Sequence, residues 1–136
     1  MKEEIKALAE MYALGAISAE QIKEESNCSN AEYKEALQYA KKYSHAYDEY
    51  ICWMKELNDN PARKIVVLNT SRVTIYLDKN DGRFHYIEMI YIPGDIYRDP
   101  DVDIIGYTLN SVEAFKLVRP ELYKYEKEFK DTELPF

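Results

Sequence analysis

The sequence predicts a small α+β protein: an N-terminal helical hairpin and a long helix packed on a small antiparallel sheet of three or four strands, closed by a C-terminal helical segment. Three observations predict it. Up to Leu57 apolar residues recur at helical spacing, with two capping signatures among them. Asn58-Asp59-Asn60-Pro61 interrupts that pattern sharply. From Lys64 onward β-branched and aromatic runs alternate with turn residues, and helical spacing returns only after Ser111. The break divides the chain into a helical region, 1–58, and a region of antiparallel sheet plus C-terminal helix, 62–136. The two can share one core.

Ile5, Leu8 and Tyr12, flanked by Met11 and Leu14, predict a first helix over residues 2–14, and Gly15 suits the position just past its end. Ser18 followed by Gln21 is a capping-box pattern for a short helix reaching about residue 26. Ser29 followed by Glu32 is a second such box, opening a third helix over residues 30–57. At 1.5 Å per residue that helix is about 42 Å long. Tyr33, Leu37, Ala40, Ser44, Tyr47, Ile51 and Met54 form one stripe along it. Ala36, Tyr39, Tyr43, Ala46, Tyr50, Trp53 and Leu57 form another beside the first. An apolar face this wide exceeds what one neighbour needs. Packing against helix 1 on one side and the sheet on the other accounts for it; the sharper alternative is a homodimer seam along residues 30–57.

Lys64–Leu68 and Arg72–Leu77 read as strands, and Asp78-Lys79-Asn80-Asp81-Gly82-Arg83 as the turn of a hairpin into a third strand, Phe84–Ile92. That third strand is apolar on both faces, as expected where helices cover one side of a sheet. Pro93-Gly94 ends it, and Asp103–Leu109 is a fourth strand. Ser111 is placed to cap a helix carrying Val112, Phe115 and Val118. Pro120 breaks it, helix resumes over Glu121–Lys130, and the last six residues are expected to fray.

Composition narrows the functional classes. Hydrophobic residues make up 46% of the chain and aromatic residues 13%, which argues against disorder. Four glycines leave little room for a phosphate-cradling loop, and thirteen tyrosines supply area with a hydroxyl for cores and partner surfaces alike. Net charge is −7, of which residues 1–60 hold −5. Such a chain repels phosphate at long range and attracts basic surfaces. Cys28 and Cys52 have no metal or redox spacing and read as reduced, semi-buried thiols. Acids near the N-terminus do not suit a signal peptide, and no apolar run approaches the ~20 residues that span a bilayer. A cytoplasmic protein without membrane partners is the expectation.

Residues 17–37 resemble a helix-turn-helix. Ile17, Ile22, Cys28 and Tyr33 fall where that motif buries apolar groups, and Ser29 caps the second helix. Lys23, Ser26 and Asn27 depart from it, standing where a small alanine, a core leucine and a turn glycine belong. The resemblance implies a DNA-binding regulator. Glu32 and Glu35 at the entry of the would-be recognition helix face the phosphate field and count against it. Residues 5–22 (Leu8, Tyr12, Gly15, Ile17, Ser18 and Ile22) are also similar to short helix-Gly-Ile-Ser hairpins of bacterial and phage oligomerisation modules.

No nucleophile elbow, phosphate loop, dinucleotide fingerprint or metal-spaced histidine pair occurs, so no catalytic residue, metal or cofactor is assigned. His45 lies on the polar face of helix 3, and His85 on a strand has no Cys, Asp or Glu at ligand spacing. Asp99-x-Asp101-x-Asp103 resembles the start of a calcium loop, but Ile104 replaces its turn glycine and Asn110 its bidentate glutamate. The functional expectation is a non-enzymatic protein-binding modulator or inhibitor. Glu32, Glu35, Asp95, Asp99, Asp101 and Asp103 would meet Lys and Arg on a basic partner, with Tyr39 and Tyr43 as anchors. In size and charge the chain resembles phage-encoded anti-defence proteins, anti-CRISPR proteins among them, which implies occlusion of a nucleic-acid-binding partner.

Overall fold

The computed structural model describes residues 1–127. In order the elements are α1 (Glu3–Ala13), α2 (Ala19–Ser26), α3 (Asn30–Asp59), β1 (Lys64–Asn69), β2 (Val73–Asp78), β3 (Arg83–Ile92), β4 (Asp101–Leu109), α4 (Ser111–Val118) and a 3-10 turn at Pro120–Tyr123. Residues 124–127 are helical. Residues 128–130 of the expected C-terminal helix, and the last six residues with their expected fraying, lie outside the described residues. The chain is therefore the α+β protein its pattern predicts, with all four strands in one sheet ordered β1-β2-β3-β4. No helix among the described residues is long and apolar enough to cross a membrane.

Contacts divide the chain into two compact units, Met1–Met54 with the segment beginning at Arg119, and Lys55–Val118. The division falls inside α3, before the Asn58–Pro61 break. A linear boundary placed the C-terminal segment with the sheet. Instead Tyr125 is buried among Ile5, Leu8, Ile22, Ala36 and Tyr39, with Leu122 and Tyr123 packed on that cluster.

In the helical unit local chemistry sets the element ends. Gly15 adopts φ 78°, and α1 closes with N–H bonds from Ala16 to Met11 O at 2.9 Å and from Gly15 to Tyr12 O at 3.0 Å. That pairing satisfies the last helical carbonyls and needs a left-handed residue, which glycine supplies without strain. Both capping boxes form: Ser18 N–H donates to Gln21 Oε1 at 2.8 Å, and Ser29 N–H to Glu32 Oε1 at 3.1 Å. Asn27 turns the chain between α2 and α3 in the left-handed conformation at φ 52°, which asparagine tolerates. Lys23, where a close helix crossing would need alanine, lays its Nζ over the Tyr33 ring at 4.8 Å.

The second stripe of α3 is the more buried. Ala36, Tyr39 and Ala46 are inaccessible, whereas Tyr47 and Ile51 on the first stripe are exposed. Tyr39 stacks on Tyr43 and meets Tyr125 edge-on at 5.4 Å. Its hydroxyl donates to Glu10 Oε1 at 2.8 Å, so the buried phenol is satisfied. Cys28 is half-buried, but Cys52 is exposed rather than semi-buried.

The sheet unit is a meander. Ile75, Leu77 and Phe84 on one face of the sheet are buried, as are Ala114 and Phe115 of α4. The cap of α4 is Asn110, one residue earlier than expected: Glu113 N–H donates to Asn110 Oδ1 at 2.8 Å, and Asn110 N–H to Glu113 Oε1 at 3.1 Å. An asparagine carbonyl reaches the same orphan donors as a serine hydroxyl, which leaves Ser111 as the first helical residue. Val112 consequently turns outward.

Candidate functional site

β3 and β4 form the longest ribbon of the sheet, paired without a shift from Phe84↔Leu109 to Ile92↔Asp101. Its first half is partly covered: Phe84 is buried, and half-buried Tyr86 stacks on Tyr107 at 4.6 Å. Beyond Glu88 that cover ends. Met89, Ile90, Tyr91, Val102, Ile104 and Ile105 are all exposed, Tyr91 by 61% and Ile104 by 66%. Strand alternation puts Met89, Tyr91, Val102 and Ile104 on one face, and Ile90, Ile92, Asp101, Asp103 and Ile105 on the other. The expectation that a run apolar on both faces is covered on one side holds for Phe84 and fails from Met89 outward. Sequence alternation registers side-chain chemistry and not how far the covering element reaches. The result is an arm, residues 89–105, that leaves an apolar patch in water.

The loop at the tip holds its shape through Asp95. Its Oδ1 accepts N–H bonds from Tyr97 at 2.7 Å and Arg98 at 3.0 Å, and its own N–H donates to Arg98 O at 2.9 Å. Ile96 and Tyr97 are nearly fully exposed on this turn. Gly94 is required by close approach: a Cβ there would stand 2.6 Å from both the nitrogen and Cδ of Pro100. Gly94→Ala is therefore expected to force the loop apart at a cost of about 1–3 kcal/mol to the arm. Faster amide exchange confined to β3 and β4 would record it; unchanged protection there would refute the contact.

Asp95, Asp99, Asp101 and Asp103 all lie on this arm and its loop, and all are exposed. Arg98 is the one cation of residues 89–107. The calcium-loop likeness dissolves because Asp101 and Asp103 are in strand β4, where each carboxylate accepts the next residue's N–H, at 2.8 Å from Val102 and 2.9 Å from Ile104. A strand fans its oxygens outward where an ion-binding loop wraps them. Glu32 and Glu35 belong to the other unit, in a recess shared with Met1, Lys2 and Glu3. Glu32 is tied into its cap, which lowers its carboxyl pKa through the Ser29 N–H first and the Ser29 hydroxyl next. Tyr39, 1% exposed, is a core residue, and Tyr43 is half-buried against it.

His85 has the acidic neighbours that linear spacing hid. The hairpin turn brings Asp81 Oδ2 to 2.7 Å from His85 Nε2, and the imidazole stacks on Tyr76 at 4.9 Å. With Asp78, these side chains offer one nitrogen and two carboxylate oxygens within 4.8 Å of one another. A divalent cation can accept such a set. The turn already explains the cluster, however. Asp78 Oδ1 accepts the Asn80 N–H at 2.9 Å and Asp81 Oδ1 the Arg83 N–H at 2.8 Å. The latter bond, ahead of the His85 contact, lowers the Asp81 pKa. Lys64 and Arg83 flank Asp78 in the sheet register and oppose an added cation.

A groove of about 710 Å³ on the helical unit is rimmed by Lys41, Lys42, His45 and Lys124 and floored by Leu122 and Tyr125. Among the described residues, the buried Tyr125 hydroxyl has no hydrogen-bond partner. A buried hydroxyl without a partner costs about 1–3 kcal/mol. Tyr125→Phe should therefore stabilise the protein by about 1 kcal/mol in urea unfolding. Loss of stability would mean that the hydroxyl is satisfied in solution.

Comparison with protein-family models, with curated proteins and with solved structures returned no match.

Proposed function

We propose that this chain is a non-enzymatic protein-binding modulator that docks its β3–β4 arm on a partner with a basic surface, of the kind that holds nucleic-acid phosphates, and occludes it. One observation carries the reading: a single ribbon joins exposed apolar side chains with four carboxylates. Met89, Tyr91, Val102 and Ile104 on one face would bury area, and Asp101 and Asp103 on the other face, with Asp95 and Asp99 of the loop, would meet Lys and Arg. Burial of apolar side chains supplies affinity, and surrounding charge supplies direction and rate. The net charge of −7 steers the whole chain the same way. The likeness in size and charge to phage-encoded anti-defence inhibitors fits this mechanism.

The test is capture on the immobilised chain from an extract of the producing cell. A basic protein is expected to be retained and to be lost with Met89→Lys/Ile104→Lys, while Ile51→Lys on α3 retains it. Equal retention by the arm variant would refute the assignment. The alternative, DNA binding through residues 17–37, rests on two consecutive helices, α2 and α3, joined by a short turn, and has the half-buried carboxylates of Glu32 and Glu35 at the entry of α3 against it. A salt-sensitive shift of random duplex that Gln38→Glu abolishes would favour it over the arm.

A further inference from the structure

The sheet has two edges, and one of them is much better protected against further pairing than the other. We infer that β4 pairs antiparallel with β4 of a second copy about Ile105, making one continuous eight-stranded sheet from two four-stranded ones. The inference concerns the edge of the sheet, and it stands independently of the arm's proposed protein partner.

An open strand edge presents unpaired N–H and C=O groups, and folded proteins blunt such edges with lysine, proline, bulges or short length. β1 has these devices. It is six residues long, begins at Lys64 soon after Pro61, and shifts register between Val66 and Leu68. β4 has few of them. It runs nine residues, pairs with β3 without a shift, and carries no proline or lysine. Every residue from Asp101 to Thr108 is exposed, Val102, Ile104, Ile105 and Tyr107 included. A flat edge of this kind with apolar groups on both faces is the geometry that recruits another strand.

The two carboxylates of β4 then choose the partner's direction and register. Both sit in its N-terminal third, at Asp101 and Asp103. Parallel in-register pairing would set Asp101 beside Asp101, and antiparallel registers centred on Val102 or Asp103 would oppose carboxylate to carboxylate. Like charges directly opposite are destabilising. Antiparallel pairing centred on Ile105 uses all nine residues and avoids this. Asp101 then faces Leu109, Asp103 faces Tyr107, Val102 faces Thr108, and Ile104 faces Gly106. Ile105 meets its own copy on the two-fold axis, as an isologous interface requires. Tyr107 brings its hydroxyl beside the partner's carboxylate in each half. The strand is thus self-complementary in one full-length register.

The experiment is light scattering after size exclusion on the full chain, with cysteine cross-linking as a readout independent of variant stability. The wild type is expected at twice its 16.0 kDa mass. Ile105→Lys, which places two cations face to face, should return it to the monomer with an unchanged circular dichroism spectrum. In a Cys52→Ser background, Ile105→Cys places two Cβ atoms about 5 Å apart on the axis. It should oxidise to a covalent dimer, where Ile51→Cys on α3 does not. A wild type that stays at 16.0 kDa at hundreds of micromolar, or cross-linking through residue 51 and not 105, would overturn the inference.

Discussion

Above pH 10 the helical unit is expected to lose stability steeply and to unfold before the strongest base concentrations are reached. Burial raises Tyr39, Tyr123 and Tyr125 above the ordinary tyrosine value of 10.0, Tyr123 to about 12. For Tyr39 the carboxylate of Glu10, which accepts its proton's hydrogen bond, adds to the effect of burial. The sign follows from proton linkage. Below pH 10 both folded and unfolded chains keep these protons, and stability does not depend on them. Between 10 and the raised values the unfolded chain ionises while the folded one cannot, so stability falls as pH rises. Buried Tyr39 and Tyr125 each remove about 1.4 kcal/mol per pH unit, about 3 kcal/mol per pH unit together, and half-buried Tyr123, screened by solvent, adds less. A domain stable by about 5–15 kcal/mol cannot absorb that for long. Helical circular dichroism and tyrosinate absorbance should therefore change together in one cooperative step. Smooth ionisation of all thirteen tyrosines near pH 10 with the helix signal intact would contradict the buried cluster.

The second large effect belongs to the arm. With the captured partner in hand, replacing Asp95, Asp99, Asp101 and Asp103 together by asparagine should slow association by about tenfold or more at low salt. It should also flatten the salt dependence, because exposed charges act through a field screened over about 10 Å at 0.1 M salt. Dissociation should change less, since the apolar contacts of Met89, Tyr91 and Ile104 hold the complex once formed. The reverse pattern, with unchanged association and faster dissociation, would place these carboxylates in buried ion pairs and not on a steering rim.

The fold was largely legible in the chain because its signals are local. Both capping boxes, the Gly15 stop and the turn at Gly82 are short-range chemistry, and each appears where its residues predict. Two kinds of feature were not legible. Pairing across a turn hid the His85–Asp81 contact, since i−4 in a hairpin has no periodic signature. Cover by distant elements decided the rest. It withdrew Tyr39 into the core through Tyr125, far along the chain, and left Met89–Ile105 bare although its composition is that of a covered strand. A mixture of Ile and Tyr with Asp on one ribbon was visible from residue 89 to residue 107, but its exposure was not.

Amide hydrogen exchange of the full chain, alone and with the captured partner, tests the interaction surface most directly. The account predicts added protection over residues 89–107, with α1 and the first turns of α3 unchanged. Protection confined to Glu32, Glu35 and their neighbours, with the arm exchanging as in the free protein, would contradict it.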